Sequence, residues 1–274
     1  MDTKRILTIQ DISCVGQCSL TVALPIISAC GVETCILPSA VLSTHTAGFT
    51  GFTVRDLADD MPAIEKHWVK EGIFFDAVYT GYLGSKEQID YVSSIIKNTC
   101  KGPAIIDPAM ADNGKLYPAF DMAYVDEMKK LCFNADIVLP NITEASFLTG
   151  IEYKEVYDES YVKNIVNALL NSGAKAVVLT GVGYTPDTTG VVCATKNSYY
   201  YYRHHRYAKS CHGTGDVYAS AFVGAYMNGR SMEDASRIAA DFTVKCMENT
   251  LDDASHWYGV KFEPILKQLS KMID

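Results

Sequence analysis

The sequence lacks several patterns that would assign it to a common class of nucleotide-binding, metal-binding or membrane protein. It contains no Gly-x-x-x-x-Gly-Lys-Ser/Thr loop, which excludes a P-loop nucleotide site. Its nine cysteines are odd in number and include no Cys-x-x-Cys pair, so reduced thiols are predicted and a zinc site is not. The longest apolar stretch, residues 20–30, is broken by Pro25 and is too short to span a bilayer.

Basic residues are also in the minority, with 24 Lys and Arg against 32 Asp and Glu and a net charge of −8. This balance argues against nucleic acid or an anionic membrane as a partner. Hydrophobic residues make up 48% of the chain, which is enough for a full core, and no linker, repeat or low-complexity tract divides it. Residues 1–274 are therefore predicted to form a single domain, and the lack of a signal-peptide core favours a cytoplasmic location.

Short β-rich runs alternate with helical segments along most of the chain. Strands are predicted at residues 6–9, 34–37, 77–79, 104–106, 137–139 and 176–179, and helices at 20–30, 61–71, 86–98, 122–131, 159–172, 214–228, 231–247 and 262–272. Residues 189–194 and 198–203 are typical of a hairpin, and Ser231 with Asp234 of a helix-capping box. The alternation predicts a three-layer α/β/α fold with a mostly parallel sheet and an antiparallel edge hairpin.

Polar loops follow most of the predicted strands, at residues 10–19, 38–53, 80–85, 107–118, 141–144 and 181–188. In an open α/β sheet, ligands bind outside the carboxyl ends of the strands. We therefore expect the functional side chains of these loops to meet at one edge of the sheet.

The segment Cys211-His212-Gly213-Thr214-Gly215-Asp216 runs directly into an apolar helix. Two glycines allow a tight curl, and the first N–H groups of the helix then form an anion site suited to a transferring phosphoryl group. Asp216 lies where it could accept a proton from an attacking hydroxyl. The structural alternative is a glycine-rich turn capped by an aspartate. Cys211 is interpreted as an inert neighbour of the loop.

Carboxylates follow two further strands. Asn141 and Glu144 could hold a magnesium ion or its water shell beside nucleotide phosphates, or could simply cap a short helix. Asp107 and Asp112 could both approach a cation, or could belong to an Asp-Pro turn. Both interpretations stay open for each pair.

Aromatic and hydroxyl side chains occupy the remaining loops. Ser43-Thr44-His45-Thr46 precedes several mobile glycines and suits a loop that folds over a small polar ring, although such a histidine can equally be a surface residue. Tyr82 could stack on a flat substrate or mark a helix-entry turn. Gly181-Val182-Gly183 could let an adenine or ribose approach the backbone, but without a third glycine it is not a dinucleotide fingerprint.

Taken together, these segments resemble the ribokinase-like superfamily and, within it, the pyridoxal kinases. Gly213-Thr214-Gly215-Asp216 is similar to the superfamily's catalytic loop, and the Asp136–Asn141 stretch with Glu144 is similar to its magnesium and nucleotide segment. The subgroup signal comes from the Ser43–Thr46, Thr80–Ser85 and Asp107–Met110 segments. The resemblance covers nearly the whole chain in order.

The resemblance implies ATP-dependent phosphorylation of the 5′-hydroxymethyl group of a B6 vitamer, with Mg²⁺, a possible monovalent cation and a homodimeric assembly. Asp216 would be the base, and Gly213, Thr214 and Gly215 would hold the γ-phosphoryl oxygens. The implied substrate-binding residues are Asp11, Ser43, His45, Thr46, Tyr82, Tyr117 and His212. The implied nucleotide-binding residues are Asn141, Glu144, Thr180, Gly181 and Asp112, of which Asp112 and Glu144 would organise the metal.

One residue departs from the family's pattern, because Asp11 stands where many pyridoxal kinases have serine. A carboxylate there could favour a protonated pyridine nitrogen or the amine of pyridoxamine. Two alternatives to a pyridoxal kinase remain open from the sequence. One is a hydroxymethylpyrimidine kinase of the same fold, and the other is a non-catalytic vitamer-binding protein.

Overall fold

The structure is a computed structural model that describes residues 3–208 and 211–273. The strands are β1 (Arg5–Ser13), β2 (Glu33–Leu42), β3 (Val54–Asp56), β4 (Ala77–Thr80), β5 (Ala104–Ile106), β6 (Ala111–Asp112), β7 (Lys115–Leu116), β8 (Ile137–Val138), β9 (Ala176–Thr180), β10 (Thr188–Thr195) and β11 (Ser198–His205). The helices are α1 (Leu20–Ala29), α2 (Met61–Lys70), α3 (Lys86–Thr99), α4 (Met122–Phe133), α5 (Ile142–Thr149), α6 (Glu159–Ser172), α7 (Thr214–Met227), α8 (Met232–Leu251) and α9 (Leu266–Ile273).

The main sheet has the strand order β11-β10-β9-β8-β5-β4-β1-β2-β3, and β6 and β7 form a separate small ribbon. The six strands from β9 to β2 in this order are parallel. The hairpin of β10 and β11 runs antiparallel at one edge, which confirms the predicted sheet. β3 adds a second antiparallel edge that was not predicted, because all its residues are exposed and none marks a buried face.

Alternate side chains of the strands enter two separate hydrophobic cores. On one face, Leu7 and Ile9 of β1 pack in the core that α2 to α6 cover. On the other face, Ile6 of β1 and Tyr79 of β4 pack in the core that α1, α7, α8 and α9 cover. The predicted three-layer α/β/α fold is therefore confirmed. Within the described residues, no helix is both long and apolar enough to cross a membrane.

Helix ends follow local capping chemistry, with two differences from the predicted ends. Ser231 caps α8 by accepting a hydrogen bond from the Asp234 N–H, but the Asp234 carboxylate accepts from the Ser231 hydroxyl rather than from its N–H, so the predicted capping box is half formed. The C-terminal helix was predicted from residue 262. A 3₁₀ turn over Glu263–Ile265 precedes α9 there, because Pro264 occupies the first turn and supplies no N–H donor.

Two strands extend further than predicted towards the edge where the carboxyl ends meet. β1 continues to Ser13 and β2 to Leu42, so the loops predicted from residues 10 and 38 begin later. The pairing of β1 with β2 shifts register between Gln10 and Ile12, which places Asp11 at a β-bulge. A bulge turns a side chain out of the regular alternation. Polar residues in these strands had indicated loops, but here they are buried at the end of the sheet.

Candidate active site

The carboxyl ends of the parallel strands open into a cavity of about 510 Å³. Of the residues predicted from the sequence to bind substrate, nucleotide or metal, all except Ser43 line it. These are Asp11, His45, Thr46, Tyr82, Asp112, Tyr117, Asn141, Glu144, Thr180, Gly181, His212, Gly213, Thr214, Gly215 and Asp216. The fold thus brings side chains from six loops and one helix N-terminus to a single site.

The glycine-rich loop forms the start of α7. Gly213 caps the helix with φ of 80°, in the left-handed region that favours glycine, and a Cβ there would collide with the carbonyl oxygen of Gln17. Gly215 has no neighbouring atom within 4 Å of a Cβ position, so the loop is open on that side. The first-turn N–H groups of an α-helix have no acceptor inside the helix. They and the positive end of the helix dipole can therefore bind an anion in the cavity.

Asp216 lies in the first turn of α7, enclosed by protein except on its cavity side. Burial raises the pKa of its carboxyl from the ordinary 3.8 to about 7, and the negative charge of Asp11 adds to the rise. The nearby backbone N–H of Ser19 opposes this rise in pKa. A carboxyl with a pKa near neutrality is suited to accept a proton at physiological pH.

Asp11 lies in β1 opposite the extra residue of β2 at the register shift, and it is only 5% exposed. Its two carboxylate oxygens accept hydrogen bonds from the Ser19 hydroxyl at 2.5 Å and the Ser13 hydroxyl at 3.0 Å. Burial raises the pKa of Asp11, while these two hydroxyls lower it. The side chain is therefore fixed by its own neighbours before any ligand binds.

Aromatic rings form the wall of the cavity opposite the glycine loop. Tyr82 and Tyr117 both lie against Phe120, with ring centroids 5.4 and 6.4 Å apart, and Phe120 stacks on Tyr124 at 3.8 Å. Tyr82 and Tyr117 line the cavity, and Phe120 supports them from behind. Such a wall can pack against a flat ring. Phe120 was missed in the sequence because nothing distinguished it from other loop aromatics.

His45 is buried rather than exposed. Its Nδ1 accepts a hydrogen bond from the Ala47 N–H at 3.1 Å, so its Nε2 carries the proton and donates to the Tyr258 carbonyl at 2.6 Å. Both ring nitrogens are occupied, and only the ring itself can contact a ligand. Ser43 lies outside the cavity, where its hydroxyl accepts from the Thr53 N–H at 2.9 Å. The hydroxyl therefore stabilises the base of its own loop, and the predicted substrate contact of Ser43 stays a prediction.

Glu144 and Asn141 stabilise, by mutual hydrogen bonds, the part of the site where several carboxylates lie. Glu144 accepts hydrogen bonds from the Asn141 N–H and the Met110 N–H, both at 2.9 Å, while Asn141 accepts from the Glu144 N–H and donates to the Ala111 carbonyl. The capping box proposed for this pair is therefore present. It holds the segment after β5 against α5, and Glu144 still faces the cavity.

Asp107 and Asp112 face the same side of the cavity as Glu144. Burial and the charges of Glu144 and Asp216 raise the pKa of Asp107 well above its usual range, and burial also raises the pKa of Glu144. Among the described residues, no group of three acidic, His or Cys side chains is arranged to hold a metal ion. Oxygen donors of this kind fit a magnesium ion that arrives with a nucleotide and keeps part of its water shell.

One wall of the cavity was not predicted from any sequence pattern. It is formed by the β10 residues Thr189, Gly190 and Val191 and by His204, Tyr218, Thr243 and Met247. These residues lie on an antiparallel hairpin and on helix interiors, and none belongs to a polar loop. They adjoin Thr180 and Gly181, so only the tertiary fold could identify them.

The site combines a helix N-terminus that can hold phosphoryl oxygens with a neighbouring carboxyl whose pKa is about 7. This arrangement is that of a small-molecule kinase. A family model described as phosphomethylpyrimidine kinase matches residues 23–260. The hydroxymethylpyrimidine/phosphomethylpyrimidine kinase of Bacillus subtilis is 29% identical over 219 residues, 78% of each chain.

Solved structures agree with this class. The crystal structure of a protein from Bacteroides thetaiotaomicron, described as a phosphomethylpyrimidine kinase, superposes with a TM-score of 0.94. The two chains are 35% identical, and the match covers 98% of this chain and 94% of the other. The pyridoxal kinase of Lactobacillus plantarum has a TM-score of 0.91 and 29% identity, over 98% and 97%. The chain therefore belongs to the phosphomethylpyrimidine kinase family and has the ribokinase-like fold of its pyridoxal kinase neighbours.

Proposed function

We propose that the protein catalyses ATP-dependent phosphorylation of the 5′-hydroxymethyl group of a B6 vitamer. The observation that carries this proposal is the position of Asp216, a carboxyl with a pKa of about 7 in the first turn of α7, beside an open helix N-terminus. A base and an anion site are adjacent there, as transfer of a phosphoryl group to an alcohol requires. The tyrosine wall in the same cavity suits a flat acceptor ring.

In the proposed reaction, the Asp216 carboxylate accepts the proton of the hydroxymethyl group as the hydroxymethyl oxygen attacks the γ-phosphorus of ATP. The bond from the γ-phosphorus to the β,γ-bridging oxygen breaks, and ADP leaves. The N–H groups at the start of α7 hold the oxygens of the transferring group, on which negative charge accumulates. Tyr82 and Tyr117 orient the ring. Thr180, Gly181 and the β10 wall bind the nucleoside end.

Asp112 and Glu144 are the residues that would organise magnesium, with Asn141 holding Glu144 in place. When bound, Mg²⁺ neutralises charge on the phosphates and fixes their geometry. Burial raises the pKa of Glu144 in the absence of a metal. A cation bound beside it would favour the ionised carboxylate, which is the form that can hold magnesium.

The charge of the cavity favours an acceptor that carries no phosphate. Its described lining contains the carboxylates of Asp11, Asp107, Asp112, Glu144 and Asp216 and includes neither lysine nor arginine. The phosphates of ATP would be accompanied by magnesium, whereas an acceptor that already carries a phosphate would meet these carboxylates without a cation and would be repelled. We therefore propose a single phosphorylation of a neutral or cationic alcohol.

The choice of a B6 vitamer is supported by a similar protein. A second crystal form of the Bacteroides thetaiotaomicron protein, 35% identical with a TM-score of 0.90, contains pyridoxal. Hydroxymethylpyrimidine is the second candidate, favoured by the family description and by the Bacillus subtilis relative. Both acceptors present a flat ring and a hydroxymethyl group.

Product analysis by mass spectrometry separates the candidates. The purified protein is incubated with Mg-ATP and, in turn, pyridoxal, pyridoxamine, pyridoxine, hydroxymethylpyrimidine and hydroxymethylpyrimidine phosphate. We expect a monophosphate from the B6 compounds and no diphosphate from the phosphorylated pyrimidine. Product from the pyrimidines alone would replace the vitamer proposal, and a diphosphate would overturn the argument from cavity charge.

We also propose that the protein is a homodimer, as the resemblance to pyridoxal kinases implies.

A further inference from the structure

The loop that follows β9, residues 181–184, lies where the nucleoside end of ATP is proposed to bind. Gly181 lines the cavity, and the Val182 N–H donates to the carbonyl of Gly190 in the β10 wall at 3.0 Å. Gly181 has a left-handed φ of 73° and open space around its Cβ position. Glycine allows this turn but does not hold it in one conformation. Other groups therefore have to fix the loop.

The hydroxyl of Tyr157 makes two hydrogen bonds to this loop. It donates to the Gly181 carbonyl and accepts from the Gly183 N–H, both at 3.2 Å. A phenolic hydroxyl can donate and accept at the same time, so one side chain can hold both backbone groups. These two groups lie on either side of Val182. Their common partner therefore fixes the curl of the loop between them.

A second tyrosine, Tyr201 of β11, holds the residue between these two groups. Its hydroxyl donates to the Val182 carbonyl at 3.2 Å. Val182 is fully buried. The ring of Tyr184, the next residue but one, lies 5.2 Å from the Tyr201 ring and 6.3 Å from the Tyr157 ring. Three consecutive residues of the loop are thus bound through their backbone by two tyrosine hydroxyls from separate elements.

Tyr157 is itself fixed by the start of α6. The Asp158 carboxylate caps this helix by accepting a hydrogen bond from the Tyr161 N–H at 2.9 Å. The Tyr157 ring lies 5.5 Å from the Tyr161 ring and packs against the hydrophobic core that α2 to α6 cover. An aromatic side chain has few torsions to restrict, so packing of this kind makes its hydroxyl a rigid support.

We propose, on the basis of the proposed kinase function, that Tyr157 is a positioning residue for the nucleotide. Its hydroxyl holds the Gly181 and Gly183 backbone in the conformation that receives the nucleoside end of ATP. Tyr201 supports the same loop through Val182. Both tyrosines act through this loop and not through the start of α7. Their loss should therefore weaken nucleotide binding and leave acceptor binding and proton transfer intact.

Three substitutions of the same kind test this role, because each removes one hydroxyl and keeps the ring. Tyr157→Phe and Tyr201→Phe remove the two supports of the loop. Tyr161→Phe is the matched control. Its hydroxyl donates to the Glu152 carbonyl at 2.8 Å, and Tyr161 is only 8% exposed. The control thus removes a buried hydrogen bond from the same part of the chain, but one that is directed away from the loop.

The first readout is binding of ADP in the presence of magnesium, followed by calorimetry, which needs no turnover. For Tyr157→Phe and Tyr201→Phe we expect the dissociation constant to rise about three- to tenfold, the change that the loss of such hydrogen bonds corresponds to. Tyr161→Phe should bind ADP as the wild type does. The melting temperature without nucleotide should fall at least as far in Tyr161→Phe as in Tyr157→Phe, because the hydrogen bond of Tyr161 is shorter and more buried.

The second readout is the steady-state rate with pyridoxal as acceptor. For Tyr157→Phe we expect KM for ATP to rise by the same factor as the dissociation constant of ADP. We expect kcat and KM for pyridoxal to stay at their wild-type values, because the lost interaction contributes equally to the ground state and the transition state.

Wild-type affinity for ADP in Tyr157→Phe would overturn the proposal. An equal loss of affinity in Tyr161→Phe, or an equal rise of both KM values in Tyr157→Phe, would also overturn it, because the effect would then follow stability rather than the loop. If the wild-type protein phosphorylates none of the acceptors but ADP binding still weakens in Tyr157→Phe and Tyr201→Phe alone, the proposed function fails and the positioning role of Tyr157 stands.

Discussion

At the residue scale, the ionisation of Asp216 sets the pH at which the proposed reaction can run. Burial raises the pKa of this carboxyl from 3.8 to about 7, and only the ionised form can accept the proton of the acceptor alcohol. We expect kcat/KM for pyridoxal to fall about tenfold per pH unit below about pH 6.5 and to level off at higher pH. A buffer-corrected pH profile of the wild-type protein measures this. A limb near pH 4 would show that another group is the base.

Gly213 and Gly215 allow a matched test of the anion site. Gly213 has a left-handed φ, and its substitution would force a Cβ against the Gln17 carbonyl, whereas Gly215 has space around it. We expect Gly213→Ala to destabilise the fold by about 1–3 kcal/mol and to abolish turnover. Gly215→Ala should fold normally but lower kcat/KM, because its methyl group would extend into the part of the cavity where the phosphoryl group is transferred. Urea unfolding and ADP release measure the two effects, and equal stability of both variants would contradict the geometry.

The residues best predicted from sequence are those whose chemistry depends on local backbone. Gly213 to Asp216 run directly into an apolar segment, so the start of α7 and an anion site there could be predicted from the local sequence. The role of His45 could not, because its carbonyl partner comes from Tyr258, more than 200 positions away. Nor could that of Ser43, since a hydroxyl in a loop points either to a ligand or to its own backbone.

At the scale of elements, the ends of β1 and β2 show why sequence patterns did not predict where the strands reach the site. Apolar runs identified the buried centres of these strands, but the strands continue through polar residues to Ser13 and Leu42. The β-bulge at Asp11 depends on pairing with β2, which no local pattern reports. Three residues of these strand extensions, Asp11, Ser13 and Leu42, line the cavity.

Trp257 and Tyr258 of the C-terminal segment contact the loop that carries His45. The Trp257 ring lies 4.7 Å from that of Phe49 and rests on Gly48, while the neighbouring Tyr258 carbonyl accepts from His45. We expect Trp257→Ala to loosen this loop and raise KM for pyridoxal about three- to tenfold, which corresponds to about 1 kcal/mol, with little change in KM for ATP.

The control for this variant is Val69→Ala on α2. Val69 and Trp257 are equally exposed, at 49%, but Val69 lies on α2, whereas the Trp257 ring packs against Phe49 in the loop that carries His45. Val69→Ala should leave both KM values at the wild-type level. An equal rise in KM for pyridoxal and for ATP in Trp257→Ala would mean that the loop does not act on the acceptor alone.

At the scale of the whole molecule, the fold class was predictable because most buried strands are apolar on both faces and alternate with helical segments. Ser85, Asp121 and Asp158 cap α3, α4 and α6 as their sequences indicate. The edge strand β3 and the β6–β7 ribbon were not predictable. They are short, exposed pieces held by neighbours rather than by their own pattern.

The assembly proposed for the whole molecule can be measured directly. The chain has a mass of 30.1 kDa, and we expect sedimentation equilibrium at micromolar concentration to give about twice that mass, the value for a homodimer. Gel filtration at several loading concentrations serves as the control for weak association. A mass of one chain throughout this range would contradict the dimer.

The most direct test of the central claim is the rate of ADP release from Mg-ATP with and without pyridoxal, for the wild-type protein and Asp216→Asn side by side. We expect pyridoxal-dependent release in the wild type, and a 10²- to 10⁴-fold lower rate in the variant, the usual contribution of a general base. ATP binding, followed by calorimetry, should survive the substitution. Release that Asp216→Asn leaves unchanged would contradict the assignment of Asp216 as the base, and with it the proposed mechanism.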